Sequence, residues 1–204
     1  MSTNYFKIMI IGLSGSLAAG KDTVAEYLEA KGFRHISLSV ILRDLLKEKN
    51  IEINLENLTR VGNSILDEYG PAYLVKRAEK IADFSSDLVI SSIRQPNEIE
   101  YLKKRRDFFM VFVDADIKIR FARSVKRSRQ GDSKTLEEFA SIEKKEMDGK
   151  SGGMDLQYCR KAADFVLLNN GTLDEFEGAI EKTLAEIKEK LPNDLGGQPE
   201  AEDE

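Results

Sequence analysis

The chain has 204 residues, of which 41% are hydrophobic and 33% charged, a composition typical of one soluble domain. Its apolar runs are shorter than the ~18 residues of a membrane span and shorter than a secretory signal core, so we expect a cytoplasmic protein without a membrane partner. The single cysteine, Cys159, excludes an intrachain disulfide and fits a reducing compartment.

The net charge of −5 comes from the carboxyl terminus. Residues 191–204 hold five acidic residues and no basic one, so residues 1–190 carry equal numbers of acidic and basic side chains. A neutral body has no overall field to attract nucleic acid, and we predict no such partner. The Pro, Gly and Glu content of residues 191–204 indicates a disordered acidic tail after one domain, residues 1–190.

Apolar, β-branched runs alternate with amphipathic segments along the chain. The runs predict strands buried on both faces at residues 6–13, 87–93 and 108–115, a short strand at 34–39 and a last strand at 163–170. The segments predict helices at residues 22–31, 40–50, 57–83, 96–105, 116–129, 135–147 and 172–191, the third broken at Gly70 and Pro71. This alternation predicts an α/β fold with a parallel sheet of about five strands and helices on both faces.

The sequence GSLAAGKDT, here named the phosphate loop, lies between the first predicted strand and the first predicted helix. Its glycines let the backbone curl so that successive N–H groups point at phosphate oxygens, and Lys21 would reach the β- and γ-phosphates. A glycine-rich turn without a ligand is the competing interpretation, which the flanking elements disfavour. The predicted phosphate contacts are Gly15, Ser16, Leu17, Ala18, Ala19, Gly20, Lys21, Asp22 and Thr23.

Asp22 occupies the position at which such loops normally carry Ser or Thr for a magnesium ion. A carboxylate is also a hard oxygen ligand, and Thr23 next to it offers a hydroxyl, so we predict both as Mg²⁺ ligands. An acid in the first turn of a helix is also favourable without any metal, and the two roles are compatible.

Four further segments complete a resemblance to a known family: SLSVILR, SSIR, RFARSVKRSRQGD and NNGT. Over about residues 7–188 the chain resembles P-loop kinases of the nucleoside monophosphate kinase group, and it is also similar to dephospho-coenzyme A kinases. The GKDT variant is similar to that of deoxynucleoside monophosphate kinases. The resemblance implies a three-layer P-loop NTPase fold with a small helical lid at about residues 120–150, and ATP and Mg²⁺ as cofactors.

The resemblance also implies roles for individual residues. Arg43 and Arg94 match arginines that hold the acceptor phosphate, although Val40 and Ser91 stand where the family has acids. Asn169 and Gly171 match the loop beside the donor adenine, and Arg60 is a further candidate for the acceptor pocket.

A role for the arginines of the predicted lid can also be argued from their spacing. Arg120, Arg123 and Arg127 share one helix face, and such a face suits the charge that spreads over a transferring phosphoryl group. The alternative is a solvated basic face balanced by Glu137, Glu138 and Glu143.

The resulting hypothesis is ATP-dependent phosphoryl transfer to a nucleoside or deoxynucleoside monophosphate. Its predicted catalytic residues are Lys21, Arg94, Arg123 and Arg127, and its only predicted partner is the small-molecule nucleotide. Two alternatives stay open: a dephospho-coenzyme A kinase, whose hydroxyl nucleophile needs a nearby acid, and a nucleotide-binding regulatory module without turnover. Both a monomer and a homodimer are compatible with the sequence.

Overall fold

A five-stranded parallel sheet organises the part of the chain that this computed structural model describes, residues 8–70, 72–82, 86–127, 133, 135–147 and 154–192. Its order is β2-β3-β1-β4-β5. The strands are β1 (Ile10–Gly15), β2 (Arg34–Ser37), β3 (Leu88–Ser91), β4 (Phe108–Asp114) and β5 (Phe165–Leu168). The predicted number of strands and their parallel arrangement are confirmed.

Helices connect these strands and cover both faces of the sheet. They are α1 (Lys21–Ala30), α2 (Leu38–Glu48), α3 (Leu55–Tyr69), α4 (Tyr73–Ile81), α5 (Pro96–Leu102), α6 (Ile117–Arg127), α7 (Leu136–Met147), α8 (Leu156–Ala162) and α9 (Leu173–Lys190). Helix α8 was not predicted; it begins where the Asp155 carboxylate accepts a hydrogen bond from the Tyr158 N–H, and it buries Leu156 and Cys159.

Two apolar layers hold the helices on the sheet. On one face α1 and α9 pack through residues such as Leu28 and Ile180, and on the other α2, α3, α4, α5 and α8 pack through residues such as Leu46 and Ile99. The central strands β1, β3 and β4 are buried along nearly their whole length because helices cover both faces, whereas the edge strands β2 and β5 are only partly buried. None of the helices in the described ranges combines the length and apolar character needed to cross a membrane.

The carboxyl ends of all five strands lie at one edge of the sheet, where an open α/β sheet binds ligands. Helix α7 and most of α6 fall within the predicted lid; residues 128–132, 134 and 148–150 of the lid lie outside the described residues. The predicted tail begins too early, because Leu191 is buried against the α9 layer. The rest of that tail, residues 193–204, lies outside the described residues.

Candidate active site

The phosphate loop connects β1 to α1, and two of its glycines are required by its shape. Gly15 has φ 149° and Gly20 has φ 108°, both in the region that favours glycine. A Cβ on Gly15 would collide with the carbonyl of Val113, and one on Gly20 would collide with the Asn169 amide. The loop therefore runs in close contact with the ends of β4 and β5.

Asp114, the last residue of β4, anchors this loop. Its Oδ1 accepts a 2.8 Å hydrogen bond from the Ser16 hydroxyl, and its carboxylate also pairs with Arg120 and Arg160. Asp114 was not predicted as a site residue, although an acid at the carboxyl end of a buried strand was an available signal.

Lys21 lies folded into the loop. Its Nζ donates hydrogen bonds to the carbonyls of Gly15 and Ser16, at 2.8 and 2.7 Å. The pKa of Lys21 is lowered to about 8, chiefly by burial and also by the positive charges of Arg94 and Arg127, against the negative charges of Glu146 and Asp22, which raise it. The charges of Arg94 and Arg127 both act on Lys21, and we refer to these three residues as the cation cluster.

Arg94 follows β3 and is held at both its backbone and its side chain. Its N–H donates to Glu98 Oε2 at 2.9 Å, as does the N–H of Gln95 at 3.1 Å. Its Nη1 lies 3.6 Å from Glu146 Oε1, which belongs to α7 and has a side chain only 16% exposed. An acid beside these cations was not predicted, and no local sequence pattern indicates it.

The three arginines on the lid face have different environments. Arg120 is buried: its Nε donates to the Ala115 carbonyl at 2.7 Å, its Nη2 pairs with Glu143 at 2.6 Å, and its Nη1 donates to the Leu17 carbonyl at 3.4 Å. For Arg120 the structure therefore favours balance by Glu143 over contact with a ligand. Arg127 belongs to the cation cluster instead.

Arg123 reaches a cavity of about 250 Å³ beside the loop, here named the Asn169 cavity. Its Nη2 donates to Asn169 Oδ1 at 3.1 Å, while its buried Nη1 has no hydrogen-bond partner within the described residues. The Asn169 Nδ2 in turn donates to the Ala19 carbonyl at 2.9 Å. The cavity is lined by Gly20, Thr23, Arg123, Asn169, Gly171, Leu173 and Phe176, and so brings together the residues predicted to lie near adenine.

The remaining predicted residues lie at the edge of this arrangement. Asp22 is exposed on the first turn of α1, and Thr23 lines the Asn169 cavity. Arg43 on α2 and Arg60 on α3 are exposed; the first donates to the Ser39 hydroxyl at 3.4 Å and the second to Asn57 Oδ1 at 3.2 Å. Neither arginine has a described contact with the cation cluster.

Comparisons with known proteins show the family of this chain. A family model described as "AAA domain" matches residues 10–147. A UPF0200 protein of Pyrococcus horikoshii is 29% identical over 192 residues, which cover 91% of this chain and 99% of that protein.

Solved structures show the same fold. Shikimate kinase from Acinetobacter baumannii, in complex with shikimate, has a TM-score of 0.56 at 17% identity, covering 89% of this chain and 94% of that one. Dephospho-CoA kinase from Campylobacter jejuni has a TM-score of 0.51 at 16% identity, and the match covers 87% of this chain and 96% of that one.

Proposed function

Because the chain belongs to the family described as the AAA domain and has a P-loop kinase-like fold, we propose that it transfers the γ-phosphoryl group of ATP to a nucleoside or deoxynucleoside monophosphate. The observation that carries this proposal is the cation cluster at the phosphate loop. Phosphoryl transfer requires little covalent chemistry from the protein and mainly needs cations around the charge of the transferring group. Lys21, Arg94 and Arg127 supply such charges.

Several features support ATP as the donor. The two constrained glycines shape the loop for phosphates, and the Asn169 cavity beside it offers apolar and hydrogen-bonding walls to a nucleobase. The unpaired buried Nη1 of Arg123 is a donor that a ligand oxygen would satisfy. Mg²⁺ neutralises phosphate charge, and the exposed carboxylate of Asp22, with Thr23 next to it, suits a hard cation of this kind.

Three arginines support a phosphate-bearing acceptor. Arg94 is fixed beside Lys21, and the exposed guanidinium groups of Arg43 and Arg60 are suited to bidentate contacts with a phosphate group. A monophosphate oxygen is already ionised, so the reaction needs no protein base.

A second candidate is a hydroxyl acceptor, as the name dephospho-CoA kinase suggests for the Campylobacter jejuni neighbour. A hydroxyl nucleophile gains from a group that accepts its proton, and Glu146 lies beside Arg94 where such a group would be needed. A nucleotide-binding module without turnover is the third alternative.

One assay separates these functions. The full chain is incubated with Mg·ATP and, in turn, with each nucleoside monophosphate, each deoxynucleoside monophosphate and dephospho-coenzyme A, and ADP formation is followed. We expect ADP formation with one or more monophosphates and its loss in Lys21→Met. Turnover with dephospho-coenzyme A alone would favour the second candidate, and ATP binding without turnover would favour the third.

A further inference from the structure

We propose that Glu146 is an internal substitute for a ligand phosphate: its carboxylate occupies the cation cluster while the site is empty, and an incoming phosphate group must displace it. The inference rests on the phosphate-binding part of the proposed function and is independent of the acceptor. It assigns an inhibitory contact to helix α7.

The position of Glu146 is set by the fold. It lies in the last turn of α7, its side chain is 16% exposed, and its Oε1 is 3.6 Å from Arg94 Nη1. It is also close enough to Lys21 to raise the pKa of that ammonium group. The carboxylate therefore faces two cations that the phosphate loop and β3 present to a ligand.

Helix α7 is fixed in this position by a second ion pair one turn earlier. Glu143 pairs with the buried Arg120 at 2.6 Å, and Arg120 donates to the carbonyl of Leu17 in the phosphate loop. The ring of Phe139, also on α7, is completely buried and lies 5.8 Å from the Arg120 guanidinium. These contacts join α7 to the loop, so Glu146 is not a surface acid that happens to reach inward.

Electrostatics explains why a carboxylate belongs there in the empty state. Three neighbouring cations that are partly removed from water repel one another, and partly buried charges need partners. A carboxylate has the charge and the planar oxygens that an arginine binds in place of phosphate. Once phosphate oxygens bind, the same carboxylate becomes a repulsive neighbour, because like charges a few ångströms apart in a low dielectric are strongly unfavourable.

Competition between Glu146 and phosphate lowers the affinity of the site for its ligand by a measurable amount. A protein that must first break an internal contact binds its ligand with an affinity reduced by the population of the open state. Removing the competing charge should therefore strengthen binding, whereas removing a catalytic base would slow turnover and leave binding in place.

The test compares wild type with Glu146→Gln in the full chain, using Mg·ATP, Mg·ADP and inorganic phosphate as probes in isothermal titration calorimetry. Coupling energies of this kind typically change a ligand affinity by about 5- to 150-fold. We expect Glu146→Gln to bind Mg·ATP about 5- to 50-fold more tightly than wild type does. The empty variant should also unfold at a lower temperature than the empty wild type, because the cation cluster has lost its counter-charge.

Two further variants make the result specific. Glu137→Gln makes the same change on the exposed first turn of α7 and should bind every probe as wild type does. Glu146→Asp keeps the charge on a shorter side chain and should give an intermediate affinity, which also provides a measurement if Glu146→Gln folds poorly.

Unchanged or weaker binding of all three probes by the Glu146 variants would overturn the proposal. Slower turnover at unchanged affinity would overturn it as well and would make Glu146 a catalytic group. Failure of the proposed monophosphate kinase activity would appear separately, as absent turnover in the acceptor assay, while the binding comparison with Mg·ATP still decides the role of Glu146.

Discussion

The Ser16 hydroxyl donates a hydrogen bond to the Asp114 carboxylate across 2.8 Å and so joins the phosphate loop to the end of β4. The same carboxylate pairs with Arg120 and Arg160, and its side chain is 13% exposed. Asp114 thus balances two arginines and fixes one residue of the loop. Its partners make it a structural anchor of the site.

We predict that Asp114→Ala destabilises the protein by about 2–4 kcal/mol, because it leaves the buried Arg120 with one partner fewer and removes the anchor of Ser16. Ser16→Ala removes a single hydrogen bond and should cost about 1 kcal/mol. Chemical denaturation measures both. Asp44→Ala, which breaks an exposed ion pair with Lys47, is the control and should cost less than ~1 kcal/mol. Equal effects of the Asp114 and Asp44 substitutions would contradict the anchoring role.

Gly20→Ala should damage both stability and nucleotide binding. Gly20 has φ 108°, and an added Cβ would push the Asn169 amide out of the wall of the Asn169 cavity. We expect a loss of about 1–3 kcal/mol of stability from the backbone strain, together with weaker Mg·ATP binding in calorimetry.

Gly32→Ala is the matched control for Gly20→Ala. Gly32 has φ 94°, so alanine is strained there too, but its Cβ would meet no atom within 4 Å. This control should lose stability and keep its affinity for Mg·ATP. A Gly20→Ala variant with wild-type affinity would show that the cavity does not bind the nucleotide.

The sequence predicts local elements of this protein better than the contacts between them. The capping box of Thr172 and Glu175 marks the start of α9, and the buried strand runs predict the sheet, because both patterns depend on near neighbours. Helix α8 was missed because seven residues with two buried positions are too short for a periodic signal.

The contacts across the site could not be predicted from the sequence. Ser16 and Asp114 are 98 residues apart, and their meeting depends on the placement of β4 beside β1, which the alternation of strands and helices leaves open. The contact of Glu146 with Arg94 depends in addition on how α7 folds back over the sheet edge. The phosphate loop itself was predictable because its glycines, lysine and flanking elements are consecutive in the sequence.

The affinity for Mg·ATP should fall as pH rises above about 8. Burial, reinforced by the charge of Arg94, lowers the pKa of Lys21 to about 8, so the empty protein loses this ammonium charge above that pH. Phosphate binds the charged form, and the loss of affinity should approach tenfold per pH unit. Calorimetry from pH 7 to 9.5 measures the effect.

Lys21→Arg is the control for this pH dependence. An arginine stays charged throughout the range, so the variant should bind Mg·ATP more weakly than wild type at pH 7 but with little change up to pH 9.5. The empty wild type should also become more stable as pH rises from 8 towards 10.5, since the unfolded chain then holds a proton that the folded chain has released. A flat affinity profile in wild type would contradict this assignment.

Glu98→Gln should remove a pH dependence of folding in the acid range. Burial raises the pKa of Glu98 to about 7, against the opposing hydrogen bonds from the N–H groups of Arg94 and Gln95 and the charge of Arg94. The folded chain therefore keeps a proton that the unfolded chain loses near pH 4.5, so the contribution of Glu98 to stability is greatest below pH 4.5 and declines until pH 7. A glutamine oxygen accepts the same two N–H groups without ionising.

In denaturation curves from pH 5 to 8, Glu98→Gln should become progressively more stable relative to wild type, whereas Glu26→Gln, on the exposed face of α1, should follow the wild-type curve. Parallel curves for Glu98→Gln and wild type would show that Glu98 is already ionised at pH 5, and the loop that carries Arg94 would then be held by a charged carboxylate throughout this range.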